Sequence, residues 1–285
     1  MSRLPKFRHL LLGFIAGWLG LFVLLPNLLI LFSSFLTRDE QQLLSLPLTL
    51  ESYLRLADIR YLAVLGHSLQ LALIATLCCL LIGYPFALFL ARQPRQRQPF
   101  LLLMVMIPFW TSSLVRLYAF RLLIGAKGVL NSLLIKLGII QQPLAILYTP
   151  LAVILGLIYI LLPFMILPLY TTLEKLNHSY VEAARDLGAN GFQIFIRITL
   201  PLSFPGIVSG CILVFLPAIG LFYVADLLGG AKNLLIGNLI KYQFLNARDW
   251  PFGAATSIAL TLLIGLLLWL YRHFSQPFTT KVSQS

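Results

Sequence analysis

Leu262-Leu-Ile-Gly-Leu-Leu-Leu-Trp269 decides the class of fold. It lies within residues 250–271, a run without a single Asp, Glu, Lys or Arg. Five more such runs of at least 18 residues follow the same rule: 9–37, 61–91, 98–115, 137–173 and 198–225. A helix needs about 20 mostly apolar residues to cross the ~30 Å hydrocarbon core of a bilayer. The six runs therefore predict six transmembrane helices, near residues 10–32, 66–91, 99–120, 147–170, 203–223 and 252–271. A membrane barrel would alternate apolar and polar residues, and stretches such as Leu21-Phe-Val-Leu-Leu25 do not.

The composition agrees. Of 285 residues, 59% are hydrophobic and 11% charged, with a mean hydropathy of +0.91; a soluble domain has roughly 45–50% apolar and roughly 25% charged residues. Disorder requires low hydrophobicity and high charge, and three cysteines are too few for a disulfide-stapled scaffold. The expectation is an all-α integral membrane protein, one transmembrane domain over residues 1–285. Cys78 and Cys79 fall in the second expected span and Cys211 in the fifth, where small apolar packing is their expected use.

Lys and Arg set the orientation. The first run carries the basic flank Arg3, Lys6 and Arg8, exceeds 20 residues and has no small-x-small cleavage site after Phe35, so it reads as a retained helix with a cytoplasmic N-terminus. Six crossings place the C-terminus on the same side. The short loop Arg92-Gln-Pro-Arg-Gln-Arg-Gln-Pro99, with three arginines and no acid, gives the sharpest signal. The net charge of +12 sits beside the spans, and no soluble basic domain is present to carry a nucleic-acid site.

Several chemistries are missing. There is no Gly-x-x-x-x-Gly-Lys-Ser/Thr to cradle ATP and no Gly-x-Gly-x-x-Gly. His9, His67, His178 and His273 lie in separate segments, and no His-x-x-x-His or Cys-x-x-Cys pair suggests a metal. No nucleophile, base and orienter stand together. A proton- or sodium-driven carrier usually holds ionisable groups at mid-membrane, whereas the candidates here sit at span ends. The chain reads as a pathway powered from elsewhere.

Residues 171–202, between the fourth and fifth spans, are too polar for membrane. Ser179 followed by Glu182 forms a capping-box pattern that predicts a helix start. Ala183, Ala184 and Leu187 favour helix, and Val181, Ala184, Leu187 and Gly188 share a face. Gly188 suits the left-handed position that ends a helix. Phe192-Gln-Ile-Phe-Ile-Arg-Ile198 then leads to Leu200-Pro201, and proline suits the first turn of the next helix.

Glu182-Ala183-Ala184, three residues, Gly188, nine residues, Ile198, one residue, Leu200-Pro201 resembles in full the EAA loop of bacterial ABC importer permeases. The resemblance implies the type I importer permease fold and a coupling element made by Glu182, Ala183, Ala184, Asp186, Gly188, Ile198, Leu200 and Pro201, docked on an ATP-hydrolysing subunit. A narrower resemblance covers nearly the whole chain. Pro108-Phe-Trp-Thr-Ser-Ser-Leu-Val-Arg116, Tyr159-Ile-Leu-Leu-Pro-Phe164, Gly220-Leu-Phe-Tyr-Val-Ala-Asp-Leu-Leu-Gly-Gly-Ala-Lys232, Ile236-Gly-Asn238 and Asn246-Ala-Arg-Asp-Trp-Pro-Phe-Gly253 are similar to permeases of spermidine/putrescine importers, the B-type subunit above all. It implies a second, related permease, a pair of ATPase subunits that use ATP and Mg, a periplasmic polyamine-binding protein, and a first span packed peripherally. The chain itself would be non-catalytic, bind no cofactor or metal and lie in the bacterial inner membrane.

A cationic substrate finds partial support in the residues. Asp226 follows the charge-free run ending Phe222-Tyr223-Val-Ala225, at the outer end of the fifth expected span. A carboxylate beside two rings can meet an ammonium group; it can also cap a helix or meet Lys232. Trp110 and Tyr118 add aromatic surface near the third span, where interfacial aromatics are also common. Arg116 and Arg121 read as snorkelling anchors or as pathway lining. Pro85, Pro108, Pro163, Pro168 and Pro217 fall inside expected spans, as gating kinks or as static packing. Other solutes of this permease class (sulfate, iron, an organic cation) and a standalone secondary transporter or channel remain the competing readings.

Overall fold

Backbone amides in hydrocarbon have no water to bond, so spanning segments satisfy them internally as helices. The computed structural model describes residues 4–39, 44–230 and 233–282. Among these the regular structure is helical, with one isolated bridge between Thr37 and Ser45. Six stretches are long and apolar enough to cross a membrane: Leu11–Ser33, Ile59–Ala91, Ser113–Lys136, Pro150–Glu174, Gly191–Gly220 and Trp250–His273, called spans one to six below.

The third departs from expectation. Residues 99–120 do not form one helix: Gln98–Met106 tightens into a 3-10 turn at Ile107–Trp110, Thr111 is extended (φ −95°, ψ 148°), and a new helix runs Ser113–Ile124. Pro108 cannot donate to the helix ladder, and its carbonyl instead accepts from the Thr111 hydroxyl at 2.8 Å. The stretch breaks again at Gly125-Ala-Lys-Gly128 before Val129–Lys136. Asn131, fully buried, fixes this turn by donating to the Gly125 and Leu144 carbonyls at 3.0 and 3.1 Å and accepting from the Leu144 amide at 2.8 Å.

The described residues gather into two compact units, Val64–Asn238 and Met1–Ala63 with Leu239–Ser285. In the first, span four is the core, and span five packs along it. At Gly206 an added Cβ would stand 2.6 Å from the Thr172 hydroxyl, so only glycine permits this approach. Pro163 and Pro168 lie inside span four, and Pro205 and Pro217 inside span five. Two buried hydroxyls tie the helices: Tyr84 to Ser203 at 2.8 Å and Tyr170 to the Gln98 carboxamide at 3.0 Å.

In the second unit, none of span one's most apolar window is buried, and the rings of Phe14, Trp18 and Phe22 follow one another along it, tilted, at centroid distances of 6.4 and 4.3 Å. Asp249, 1% exposed, begins span six. It accepts from the Phe252 amide at 3.2 Å as an N-cap and from Arg55 at 2.9 Å. The Arg55 guanidinium also lies 4.6 Å from the centre of the Phe252 ring. A buried carboxylate is stable only when paired and bonded in this way.

Two prolines share a device. Pro26 and Pro201 each follow a π turn, Gly20–Leu24 and Phe195–Thr199. The Leu25 amide bonds Gly20 and the Leu200 amide bonds Phe195, five residues back in each case. A proline ring would collide with the carbonyl four residues earlier in a regular helix; the widened turn moves that carbonyl aside.

Candidate functional site

The segment between spans four and five is built from caps. Span four ends at Glu174, and Asn177 starts the next helix, His178–Asp186. Its side-chain oxygen accepts from the Ser179 amide at 3.1 Å and hydroxyl at 2.9 Å. The cap is therefore Asn177, two residues before the expected Ser179. Asparagine is at least as strong an N-cap as serine, and its extended backbone (φ −70°, ψ 122°) leaves Ser179 and Glu182 inside the helix.

Gly188 ends that helix at φ +81°. Its amide bonds Arg185 at 2.8 Å and the Ala189 amide bonds Ala184 at 2.9 Å, the paired bonds of a Schellman motif. Asn190 opens the following helix through a reciprocal capping box with Gln193, at 2.9 and 3.0 Å. One α turn, Gly191–Ile194, then passes through the π turn Phe195–Thr199 into Leu200–Gly220. The expected helix, sharp turn and second helix are present, and the second is continuous with span five.

Glu182, Ala183, Asp186, Gly188, Leu200 and Pro201 are exposed, whereas Ala184 and Ile198 are half-buried. Val181 is half-buried as well, but Leu187 leaves the face on which it was expected and is 88% exposed. It lies beyond the last helical residue, where the chain has turned into the Schellman motif. Phe192 is 71% exposed. Leu187 and Phe192 thus flank the turn as apolar tips, a feature that helical periodicity could not reveal because neither belongs to the apolar face of a regular helix. Behind the first helix, a cleft of about 320 Å³ is lined by Val181, Glu182 and Arg185 together with Arg92, Leu173 and Thr199.

A second group of expected residues follows span five, which ends at Gly220 rather than near 223. Leu221 (φ −72°, ψ 68°) breaks the helix. Phe222–Val224 is a short helical turn and Ala225–Gly229 a π turn, so Asp226 stands beyond the span, exposed. Phe222 and Tyr223 meet edge to face at 6.0 Å, one turn before Asp226. Its carboxylate accepts a hydrogen bond from the Asn238 carboxamide. Lys232 lies outside the described residues. Trp110 (81% exposed) and Tyr118 (51% exposed) belong to the surface of the broken third stretch, on elements other than the one carrying Asp226. Arg121 donates to the Tyr148 hydroxyl at 2.8 Å and Arg116 lies 5.2 Å from the centre of the Phe109 ring, so each guanidinium is seated against an aromatic side chain.

Among the described residues, six apolar stretches long enough to cross a membrane frame the doubly capped segment that follows the fourth. Residues 83–279 match the family of binding-protein-dependent transport system inner membrane components, and the chain belongs to that family. It is 57% identical over 283 residues to the spermidine/putrescine transport system permease protein PotB of Salmonella typhimurium, covering 99% of each chain. It is 58% identical to the PotB protein of Escherichia coli, covering 94% of this chain and 98% of that one. Its fold resembles a chain of a bacterial alginate ABC transporter solved with an alginate pentasaccharide-bound periplasmic protein. That chain superposes with a TM-score of 0.75 at 17% identity, over 98% of this chain and 96% of the other.

Proposed function

We propose that this chain is a permease subunit of an ATP-driven spermidine/putrescine importer. The observation that carries the reading is the 57% identity to the Salmonella PotB protein across 99% of both chains. It is supported by Glu182-Ala183-Ala184 on a helix stopped by Gly188. The partners are a second homologous permease, a pair of ATPase subunits that bind ATP and Mg, and a periplasmic polyamine-binding protein. This chain supplies half of the pathway and the docking element, and no catalytic group.

In this reading the helix His178–Asp186 transmits motion from the ATPase. A short helix closed by a cap at each end moves as a rigid body, whereas an uncapped loop would absorb the displacement. Exposed Leu187 and Phe192 supply apolar contact at the tip, and Glu182, Arg185 and Asp186 supply charge around it. On the opposite side Asp226, with Phe222 and Tyr223, receives the ammonium groups of the polyamine. Trp110 and Tyr118 add aromatic surface along the path.

The test is purification of the intact assembly in lipid, followed by ATPase measurement. Spermidine delivered by its binding protein should raise the turnover, and sulfate or ferric iron should not. Turnover that ignores polyamine would assign the chain to another solute. Polyamine flux without any bound ATPase would favour the standalone carrier.

In this reading the basic loop Arg92–Arg97 faces the cytoplasm and both termini lie on that side. In a background without Cys78, Cys79 and Cys211, a membrane-impermeant thiol reagent added from the periplasm should label Glu40→Cys and leave Arg95→Cys unmodified. The reverse pattern would detach the docking helix from any cytoplasmic ATPase.

A further inference from the structure

Asn238 closes the short stretch Ile236-Gly-Asn238. It lies in the first turn of the helix Ile236–Leu245 and is 3% exposed. A buried carboxamide must satisfy two donors and an acceptor. Asn238 does so with three different partners. Its oxygen accepts from the Leu235 amide at 3.1 Å. Its nitrogen donates to the Phe222 carbonyl at 2.9 Å and to the Asp226 carboxylate.

These partners allow one orientation of the amide. If it flipped, the oxygen would face the Phe222 carbonyl and the Asp226 carboxylate, acceptor against acceptor, while the nitrogen met the Leu235 donor. All three bonds would be lost together. The carboxamide is thus a fixed fork between the helix Ile236–Leu245 and the segment Phe222–Gly229. One tine holds the backbone at Phe222, and the other holds the carboxylate four residues further on. Because both bonds leave the same nitrogen, the ring-bearing turn and the acid are aimed by one group.

We infer that Asn238 is a positioning residue that presents the Asp226 carboxylate to the substrate ammonium. The inference rests on the proposed contact between Asp226 and polyamine. Asn238 contributes no charge and is too deeply buried to meet the substrate itself; it sets where the charge stands. A hydrogen bond from a neutral amide to a carboxylate is among the stronger ones, so its loss should lower the uptake efficiency by about tenfold.

The experiment is a double-mutant cycle in the assembled transporter, reading radiolabelled spermidine uptake, membrane abundance and basal ATPase. Asn238→Leu removes all three bonds. Asn238→Asp keeps the size and the acceptor for the Leu235 amide, so it tests the donors even if the leucine variant fails to assemble. Each is combined with Asp226→Asn. If Asn238 acts through Asp226, the Asn238 variants raise the KM for spermidine in the wild-type background and add little in the Asp226→Asn background. Losses that multiply across the two positions, or wild-type uptake in Asn238→Asp at normal abundance, would overturn the inference and leave the Asp226 reading standing. Wild-type uptake in Asp226→Asn alone would remove both.

Discussion

Gly188→Val should abolish most polyamine uptake while the permease still inserts in the membrane at normal abundance. The reason is conformational. Gly188 sits at φ +81°, and nothing lies within 4 Å of an added Cβ, so a side chain meets open space and an unfavourable backbone. A non-glycine residue in this region costs of order 1–3 kcal/mol, and a β-branched one lies at the upper end. That cost is comparable to what the turn gains from its two Schellman bonds, each worth about 0.5–1.5 kcal/mol. The turn opens, and the helix His178–Asp186 loses its fixed angle to span five. Asparagine tolerates the left-handed position, so Gly188→Asn should retain much of the activity. Ala184→Arg, at a half-buried position, should lower uptake by adding a long charged chain against the bundle. Uptake, ATPase co-purification and membrane abundance, measured together, check the result. Full transport and full co-purification in the valine variant would remove the docking role from this turn.

Asp226→Asn should reduce polyamine uptake by roughly 10- to 150-fold, the equivalent of losing a charged hydrogen bond of about 1.5–3 kcal/mol in the limiting passage. Asparagine keeps the size and some hydrogen bonding, so the substitution isolates charge. Asp226→Glu should recover part of the loss, because it restores the carboxylate at a displaced position. Tyr223→Leu should cost less, since a cation–π contact contributes about 0.5–2 kcal/mol. Normal abundance and basal ATPase in all three separate a substrate contact from a structural role. Wild-type uptake in the asparagine variant would leave polyamine transport supported by similarity alone.

Much of this architecture is legible in the sequence because membrane helices announce themselves by the absence of charge. Spans one, two, four and six fall where runs free of Asp, Glu, Lys and Arg lie. The third is misread because absence of charge does not sense hydrogen bonds: Pro108 and Thr111 break the helix within a run that stays uncharged through Val115. The segment between spans four and five is legible through its punctuation, since Gly188 at positive φ ends the helix His178–Asp186. The choice of Asn177 over Ser179 as cap is settled by backbone geometry that two nearly equivalent residues cannot disclose. The Arg55–Asp249 pair and the Asn238–Asp226 bond are invisible in one dimension. The first joins residues 194 positions apart, and the second spans a break in the helix at Leu221. Nothing in local spacing distinguishes Asn238 from the other asparagines of the chain.

The π turn at Phe195–Thr199 has a geometric result for everything attached to it. A π turn holds one residue more than the α turn it replaces. Each residue of an α-helix advances the azimuth by about 100°. The turn Gly191–Ile194 and the buried face of span five are therefore offset in phase relative to a continuous helix through the same residues. A wheel drawn without interruption from Gly191 to Gly220 superimposes two faces that the molecule keeps apart. Removing a single residue between 195 and 199 would let the chain return to α geometry with the flanking segments still in register, whereas removing one from the regular helix Leu200–Gly220 would swing everything before it through that angle about the axis of span five. The π turn thus absorbs one residue while keeping the angular register between the turn that Asn190 caps and span five.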